Sequence, residues 1–194
     1  MTTEGPSPIL QFSEWLEAAR TAGESQPDAM VLATATSTGH PSARTVILRG
    51  VGEWGFVFYT GYNTPKAQDL ETNPQASMVF YWPKVGRQVR VEGSVGKLSA
   101  KESDTFWNSR PREVQLMVWA SPQSTVIESP DEVKARLQLH DTEFSDAVPR
   151  PVSWGGYRLV PNLIEFWDER PDRIHERLRY TEAAGGWSVL RLAP

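Results

Sequence analysis

The chain has 194 residues, 39% of them hydrophobic and 23% charged, which suits one folded domain and is too apolar for a disordered chain. Twenty Lys+Arg against 24 Asp+Glu leave −4, which argues against a nucleic-acid partner, and no apolar run reaches the roughly 18–20 residues of a membrane span. No cysteine excludes disulfides, thiolate catalysis and Cys-bound metals, the three histidines form no metal motif, and no signal-peptide pattern opens the chain, so a cytoplasmic location is expected.

Residues 1–8, with Gly5, Pro6 and Pro8, read as a flexible tail, and 9–194 as a single domain. Ile9, Phe12, Leu16 and Ala19 recur at helical spacing and predict an amphipathic helix over 9–22, stopped by Gly23 and Pro27. Three β-prone runs follow at 30–36, 44–49 and 56–60, and their short connections suggest an antiparallel meander. Thr64-Pro65 sets a cap residue before a proline, so a helix is expected over 65–72. Strands are expected at 75–82 and 87–97 around a turn at 83–86. Ser99–Glu102 fits a capping box and opens a helix to about Trp107; a short helix is expected near 112–119. A second capping box, Ser129–Glu132, opens a helix to about Leu139. The Pro- and Gly-rich stretch 145–156 reads as a loop, and strands at 157–167, 173–180 and 187–192 close the chain. This order is no βαβ alternation, and neither a GxGxxG nor a Walker A motif is present. A mainly β, α+β chain is expected, an antiparallel barrel with peripheral helices.

Eight tryptophans, and basic charge with only five lysines, are the residue choices of binding surfaces and anion sites as well as of a Trp-rich core. Arg44 and Arg49, five apart, would point to opposite faces of one strand. Lys66 lies in the first turn of a helix, where backbone N–H groups favour an anion. With Arg44 it would suit a phosphate monoester, although the residues alone favour two solvated surface cations. Gln88 at a strand start, and Gln123-Ser124 between helix and loop, offer polar groups to a ring edge or to water. The densest signal is Trp167–Tyr180, with four arginines. Read as a strand, it puts Arg173, His175, Arg177 and Arg179 on one face. Such a face needs an anion or an electron-rich ring, or else neutralisation by Asp168, Glu169, Asp172 and Glu176.

Several segments occur in order: Arg44-Thr45-Val46-Ile47-Leu48-Arg49, Phe58-Tyr59-Thr60, Lys66-Ala67, Arg87-Gln88-Val89, Ser109-Arg110-Pro111-Arg112, Gln123-Ser124, Trp154-Gly155-Gly156, Ile164–Trp167, Arg173–Arg177 and the ending Arg191–Pro194. Over roughly residues 9–194 the chain resembles the pyridoxine/pyridoxamine 5′-phosphate oxidase family, which are FMN-binding antiparallel split-barrel homodimers. The resemblance implies that FMN, lying at the subunit interface, is held by Arg44, Thr45, Val46, Ile47, Leu48, Arg49, Tyr59, Thr60, Lys66, Gln88, Gln123, Ser124, Trp167 and Arg177. Substrate would meet Arg49, Phe106, Arg110, Val114, Arg173 and His175, the last two being the catalytic pair. It further implies oxidation of pyridoxamine or pyridoxine 5′-phosphate to pyridoxal 5′-phosphate, with O2 as acceptor.

The chain departs from the family pattern at four residues, and residues 1–8 lack the basic, tyrosine-containing segment that covers substrate in typical members. Arg49 replaces a lysine, Pro65 an arginine, Phe106 a phosphate-binding tyrosine and Val114 a phosphate-binding serine. Two alternatives therefore stand beside the leading expectation. One is a related flavin oxidase acting on a carboxylated dihydrophenazine-like ring; the other is a non-catalytic flavin-binding protein.

Overall fold

The structure, a computed structural model, describes residues 7–194, so the tail expected over 1–8 lies, for residues 1–6, outside the described residues. Ser7 caps the first helix by accepting from Ile9 N, and Pro8 begins it. That helix, α1 (Pro8–Thr21), turns Ile9, Phe12, Leu16 and Ala19 inward as their spacing demands. Four further helices are α2 (Pro65–Thr72), α3 (Ala100–Asn108), α4 (Arg112–Ala120) and α5 (Pro130–Glu143). None is long and apolar enough to cross a membrane.

The nine strands among the described residues are β1 (Ala29–Ala35), β2 (Pro41–Ile47), β3 (Gly50–Gly52), β4 (Gly55–Gly61), β5 (Gln75–Trp82), β6 (Arg87–Lys97), β7 (Trp154–Asp168), β8 (Glu176–Ala183) and β9 (Gly186–Leu192). They run in the order β2-β1-β5-β6-β7-β4-β3, with β8 beside β7 and β9 beside β8. The expected meander is corrected: β2 pairs with β1, while β3 pairs only with β4, far along the sheet. The chain changes ladders in one step. Leu48 N still donates to Asp28 O, and the next amide, Arg49 N, donates to Val57 O, each at 2.8 Å.

The residues form two compact units. Among the described residues, the first comprises Ser7–Phe58, Asp69–Gly96 and Arg158–Pro194. Its core is aromatic: Phe12 meets Phe56 and Phe80 edge-on with centroids 4.9 Å apart, and Trp82 lies at 5.9 Å. Ile164, Phe166 and Tyr180 bury one face of β7 and β8. Burial raises the Tyr180 pKa, and its hydroxyl bonds Gln11 at 3.1 Å. Gly93 has a packing reason, since a Cβ there would overlap the Val160 carbonyl.

The second unit comprises Tyr59–Gln68 and Lys97–Tyr157. Trp107, Leu116, Val148 and Trp154 form its core, and Trp107 Nε1 donates to Val148 O at 2.8 Å. The Ser99/Glu102 capping box forms as expected. The second box does not: Ser129 makes no side-chain cap, and α5 starts on Pro130 alone. Nor do Gly155 and Gly156 belong to a loop. They lie within β7, where a Cβ on Gly156 would stand 2.8 Å from the Tyr59 ring.

Two corrections bear on the site residues. β2 begins three residues earlier than expected and stops at Ile47, so Arg49 lies beyond it and the opposite-face argument does not apply. β8 starts only at Glu176, so Arg173 and His175 are not on a strand. Pro171 and Asp172 end the ladder: Asp172 Oδ1 accepts from Ile174 N at 2.9 Å, and Arg173 N donates to Arg170 O at 3.0 Å.

Glu165, on the other face of β7 from that aromatic core, is a carboxylate with a side chain only 6% exposed. Arg177 holds Oε1 at 2.7 Å and Arg90 holds Oε2 at 2.9 Å. Burial alone would raise its pKa; the two guanidinium groups outweigh that, and it titrates below the ordinary range. Because the folded pKa is the lower one, this stabilisation is present above about pH 4.3 and lost as pH falls further. Glu165→Gln should cost about 2 kcal/mol, less than a fully buried pair because both arginines are partly exposed, and lower Tm by roughly 4–8 °C at neutral pH. The difference from wild type should shrink in melts run at falling pH. Equal Tm values at pH 7 would refute the assignment.

Candidate functional site

In the second unit, Tyr59 and Thr60 lie near the end of β4, and six residues after Thr60 α2 places Lys66. Lys66 is 7% exposed, and its ammonium donates to Thr60 Oγ1 at 3.2 Å. A solvated surface cation does not describe it, since burial of an ammonium is costly without acceptors. Gln123 Oε1 accepts from Thr60 Oγ1 at 3.3 Å and from Gly61 N at 3.1 Å, so Thr60, Lys66 and Gln123 are brought together. Thr64 bonds backwards to Gly61 O at 2.8 Å. Ser124, exposed, sits at φ 68°, a left-handed conformation uncommon for serine.

Beside this polar cluster stands an aromatic stack. Tyr59 and Phe106 lie face to face, centroids 3.9 Å apart, and Trp154 stacks on Tyr59 at 5.4 Å. The Arg110 guanidinium lies 5.1 Å above the Trp154 ring and 5.9 Å from Phe106. Val114, half-buried on α4, completes the substrate set expected in this unit. The arrangement offers a planar apolar wall, one fixed cation, and no hydroxyl from Phe106 or Val114.

In the first unit, Arg44 on β2 donates to Thr34 Oγ1 at 2.8 Å, Ser42 Oγ at 2.7 Å and Leu32 O at 3.2 Å. Thr34 passes a 2.6 Å bond on to Asp69 Oδ2. Burial lowers the Arg44 pKa, and Asp69 opposes the shift; the group stays a cation. Thr45, Val46 and Ile47 continue β2, Leu48 is buried, and Arg49 is exposed. Gln88, half-buried, faces Tyr81 across the β5–β6 ladder.

The arginine-rich segment is reorganised. Trp167 and His175 rings approach to 4.8 Å, and His175 Nδ1 accepts from Arg170 N at 3.1 Å. With Nδ1 accepting, Nε2 is the ring's remaining N–H position. Arg173, exposed in the turn, holds φ 63°. Arg177 is engaged by Glu165 and by Ala193 O at 3.1 Å. Neutralisation is thus partial and runs through other pairs than expected. Glu176 takes Arg170 and Arg191, and Asp168 takes Arg87 and Arg170. Sequence reading missed Glu165, although a lone acid between Ile164 and Phe166 was a visible signal, and missed Thr34, whose role depends on pairing across β1 and β2.

These elements match known proteins over nearly the whole chain. A family model described as pyridoxamine 5′-phosphate oxidase matches residues 16–141, and one described as the pyridoxine 5′-phosphate oxidase C-terminal dimerisation region matches 154–194. A Rubrobacter xylanophilus protein named pyridoxine/pyridoxamine 5′-phosphate oxidase is 50% identical over 190 residues, 97% of this chain and 88% of that one. One of the same name from Paraburkholderia phymatum is 48% identical, covering 97% and 90%. Among solved structures, PhzG from Burkholderia lata, crystallised with tetrahydrophenazine-1-carboxylic acid, superposes with TM-score 0.93 at 33% identity, covering 98% and 95%. A Nostoc punctiforme FMN binding protein related to pyridoxamine 5′-phosphate oxidase shares the fold, with TM-score 0.77 at 17% identity over 98% and 100%.

The chain is an oxidoreductase with the antiparallel split-barrel fold and peripheral helices. It belongs to the pyridoxamine 5′-phosphate oxidase family and carries that family's C-terminal dimerisation region.

Left-handed backbone at a β-carbon residue costs on the order of 1 kcal/mol, and Arg173 keeps it in an exposed turn where glycine would fit. Arg173→Gly should therefore raise stability in urea by about 0.5 kcal/mol, and the catalytic role that the resemblance implies for Arg173 would have it lower kcat/KM tenfold or more. Unchanged turnover would show the guanidinium to be idle.

Proposed function

We propose that this protein is an FMN-dependent oxidase that converts pyridoxamine or pyridoxine 5′-phosphate to pyridoxal 5′-phosphate, with O2 as electron acceptor, and that it works as a homodimer with FMN at the subunit interface. The observation that carries the cofactor reading is the buried Lys66 ammonium beside the Thr60 hydroxyl and the Gln123 amide. A phosphate dianion accepts from ammonium and hydroxyl together, and would take from Thr60 the proton that Gln123 Oε1 accepts here. Near-50% identity to proteins named as such oxidases supports the substrate reading.

Bound FMN would supply the two-electron chemistry, accepting a hydride equivalent from the substrate carbon. The chain's own residues bind and orient. Lys66 and Thr60 take the FMN phosphate, and the resemblance gives Arg44 the same ligand. Thr45–Arg49, Tyr59, Gln88, Ser124, Trp167 and Arg177 complete the proposed FMN set, with Arg177 braced by Glu165. Arg173 and His175 act on substrate: the guanidinium holds an electron-rich substituent, and Nε2–H donates a hydrogen bond. Arg49 and Arg110 hold the substrate's anionic group.

One observation favours a second reading. Phe106 lies flat on Tyr59 and, like Val114, offers no hydroxyl, so Arg110 with an aromatic wall suits a planar carboxylated ring as well as a phosphate ester. Oxygen uptake by FMN-loaded protein with pyridoxamine 5′-phosphate, pyridoxine 5′-phosphate and a dihydrophenazine carboxylate decides between them. The phosphate esters should be turned over faster.

Two variants test the assigned groups. FMN should bind at least a hundredfold tighter than riboflavin, and Lys66→Met should weaken FMN by roughly 10–100-fold while sparing riboflavin, since a charged hydrogen bond contributes about 1.5–3 kcal/mol. Fluorescence titration measures both, and equal weakening for the two flavins would refute a phosphate ligand. Phe106→Tyr with Val114→Ser should lower KM for pyridoxamine 5′-phosphate several-fold, each new donor adding about 0.5–1.5 kcal/mol. An unchanged KM moves the assignment to the carboxylated ring.

A further inference from the structure

The β1–β2 ladder sets Arg44 opposite Leu32 and Ser42 opposite Thr34. Residues two apart on a strand share a face, so Arg44 lies on the face of β1 that buries Leu32 and Thr34. From there its guanidinium reaches diagonally to Thr34, and it also meets Leu32 O and Ser42 Oγ. These bonds use Nη1 twice and Nη2 once. The Nε–H and the second N–H of Nη2 have no acceptor among the described residues.

The direction of the Thr34 bond is set from behind. Its hydroxyl has one proton, and Asp69 Oδ2 takes it at 2.6 Å, since a carboxylate only accepts. The Thr34 lone pairs are thereby left for the Arg44 N–H. Asp69 lies on α2, and its charge bears on Arg44: burial lowers the Arg44 pKa, and Asp69 opposes that shift. The end of α2 has a separate tie to β1, because Asn73 Nδ2 donates to Ala35 O at 3.1 Å. Fastening the helix therefore does not by itself call for the Thr34–Asp69 bond.

We propose that Thr34 and Asp69 are positioning residues for the FMN phosphate. Asp69 fixes the Thr34 hydroxyl, Thr34 fixes the Arg44 guanidinium, and the two N–H groups left over bind phosphate oxygens. The inference rests on the reading of Arg44 as a phosphate ligand. An arginine side chain loses much rotamer freedom when it is fixed. Here that loss is met on folding, so the anion finds its donors already ordered. Asp69 by its charge alone would oppose a phosphate, so whatever it adds to binding comes through the bond it accepts.

The test is the flavin affinity of the full chain, stripped of flavin and titrated by fluorescence with FMN and with riboflavin, alongside its Tm. Thr34→Val should weaken FMN about fivefold, the scale of one net hydrogen bond, and spare riboflavin. Thr34→Ser, which keeps the hydroxyl, should bind both flavins as wild type does. Asp69→Ala should also weaken FMN, although it removes a negative charge; unchanged or tighter FMN there would overturn the role of Asp69. In an Arg44→Met background, Thr34→Val should add no further loss. Equal weakening of both flavins by Thr34→Val would assign the hydroxyl to folding and overturn the proposal. Should Thr34→Val fail to fold, Asp69→Ala and Thr34→Ser carry the comparison. If Arg44→Met leaves the preference for FMN over riboflavin intact, the phosphate reading of Arg44 falls and the proposal with it. If Arg44→Met lowers that preference and Thr34→Val does not, the proposal alone falls.

Discussion

A carboxylate sealed into a β-strand must be surrounded by cations, and Glu165 organises the first unit on that condition. Its two oxygens take Arg177 from β8 and Arg90 from β6, so three strands are tied at one point on the face turned away from the aromatic core. The tie fixes more than stability. With Arg177 held, Trp167 beside it is placed, and Trp167 sets the position of the His175 ring 4.8 Å away. The turn carrying Arg173 hangs from the same strand ends.

The second unit solves a parallel problem with hydroxyl and amide groups. Lys66 is buried where it can donate to Thr60, and Gln123 closes the cluster from the loop after α4. Next to it, Tyr59, Phe106 and Trp154 form a rigid wall with Arg110 set over it. Planar rings lose little conformational freedom on ordering, so such a wall can position a flat ligand at low entropic cost. The pattern in both units is the same: a charge held by neighbours chosen for it, alongside aromatic surface.

Much of this was legible in the residues. The α1 spacing, the proline that starts α2, the Ser99 capping box and the runs of β5 and β6 each specify themselves through contacts a few residues long, and each formed where expected. The Ser129 box did not form although its pattern was as good, because a pattern names a possible bond and the local backbone, here φ −158°, decides it. Arg173 and His175 were misplaced for a similar reason. Alternation of charge and apolar residues from 173 to 179 mimics a strand, while Pro171 and the Asp172 turn delay the ladder until Glu176.

What the sequence determined by itself was therefore local: which segments are helix or strand, the chemistry available to a site, and, through many ordered motifs, the family. Strand order was decided only in three dimensions. Nothing local says that the amide of Leu48 bonds back toward β1 and that of Arg49 forward to β4, sending β2 and β3 to distant places in the sheet. The pairing of Glu165 with Arg90 and Arg177 was decided there too. Hydrogen bonds and ion pairs between residues 75 apart in sequence depend on register, and register is a property of the assembled sheet.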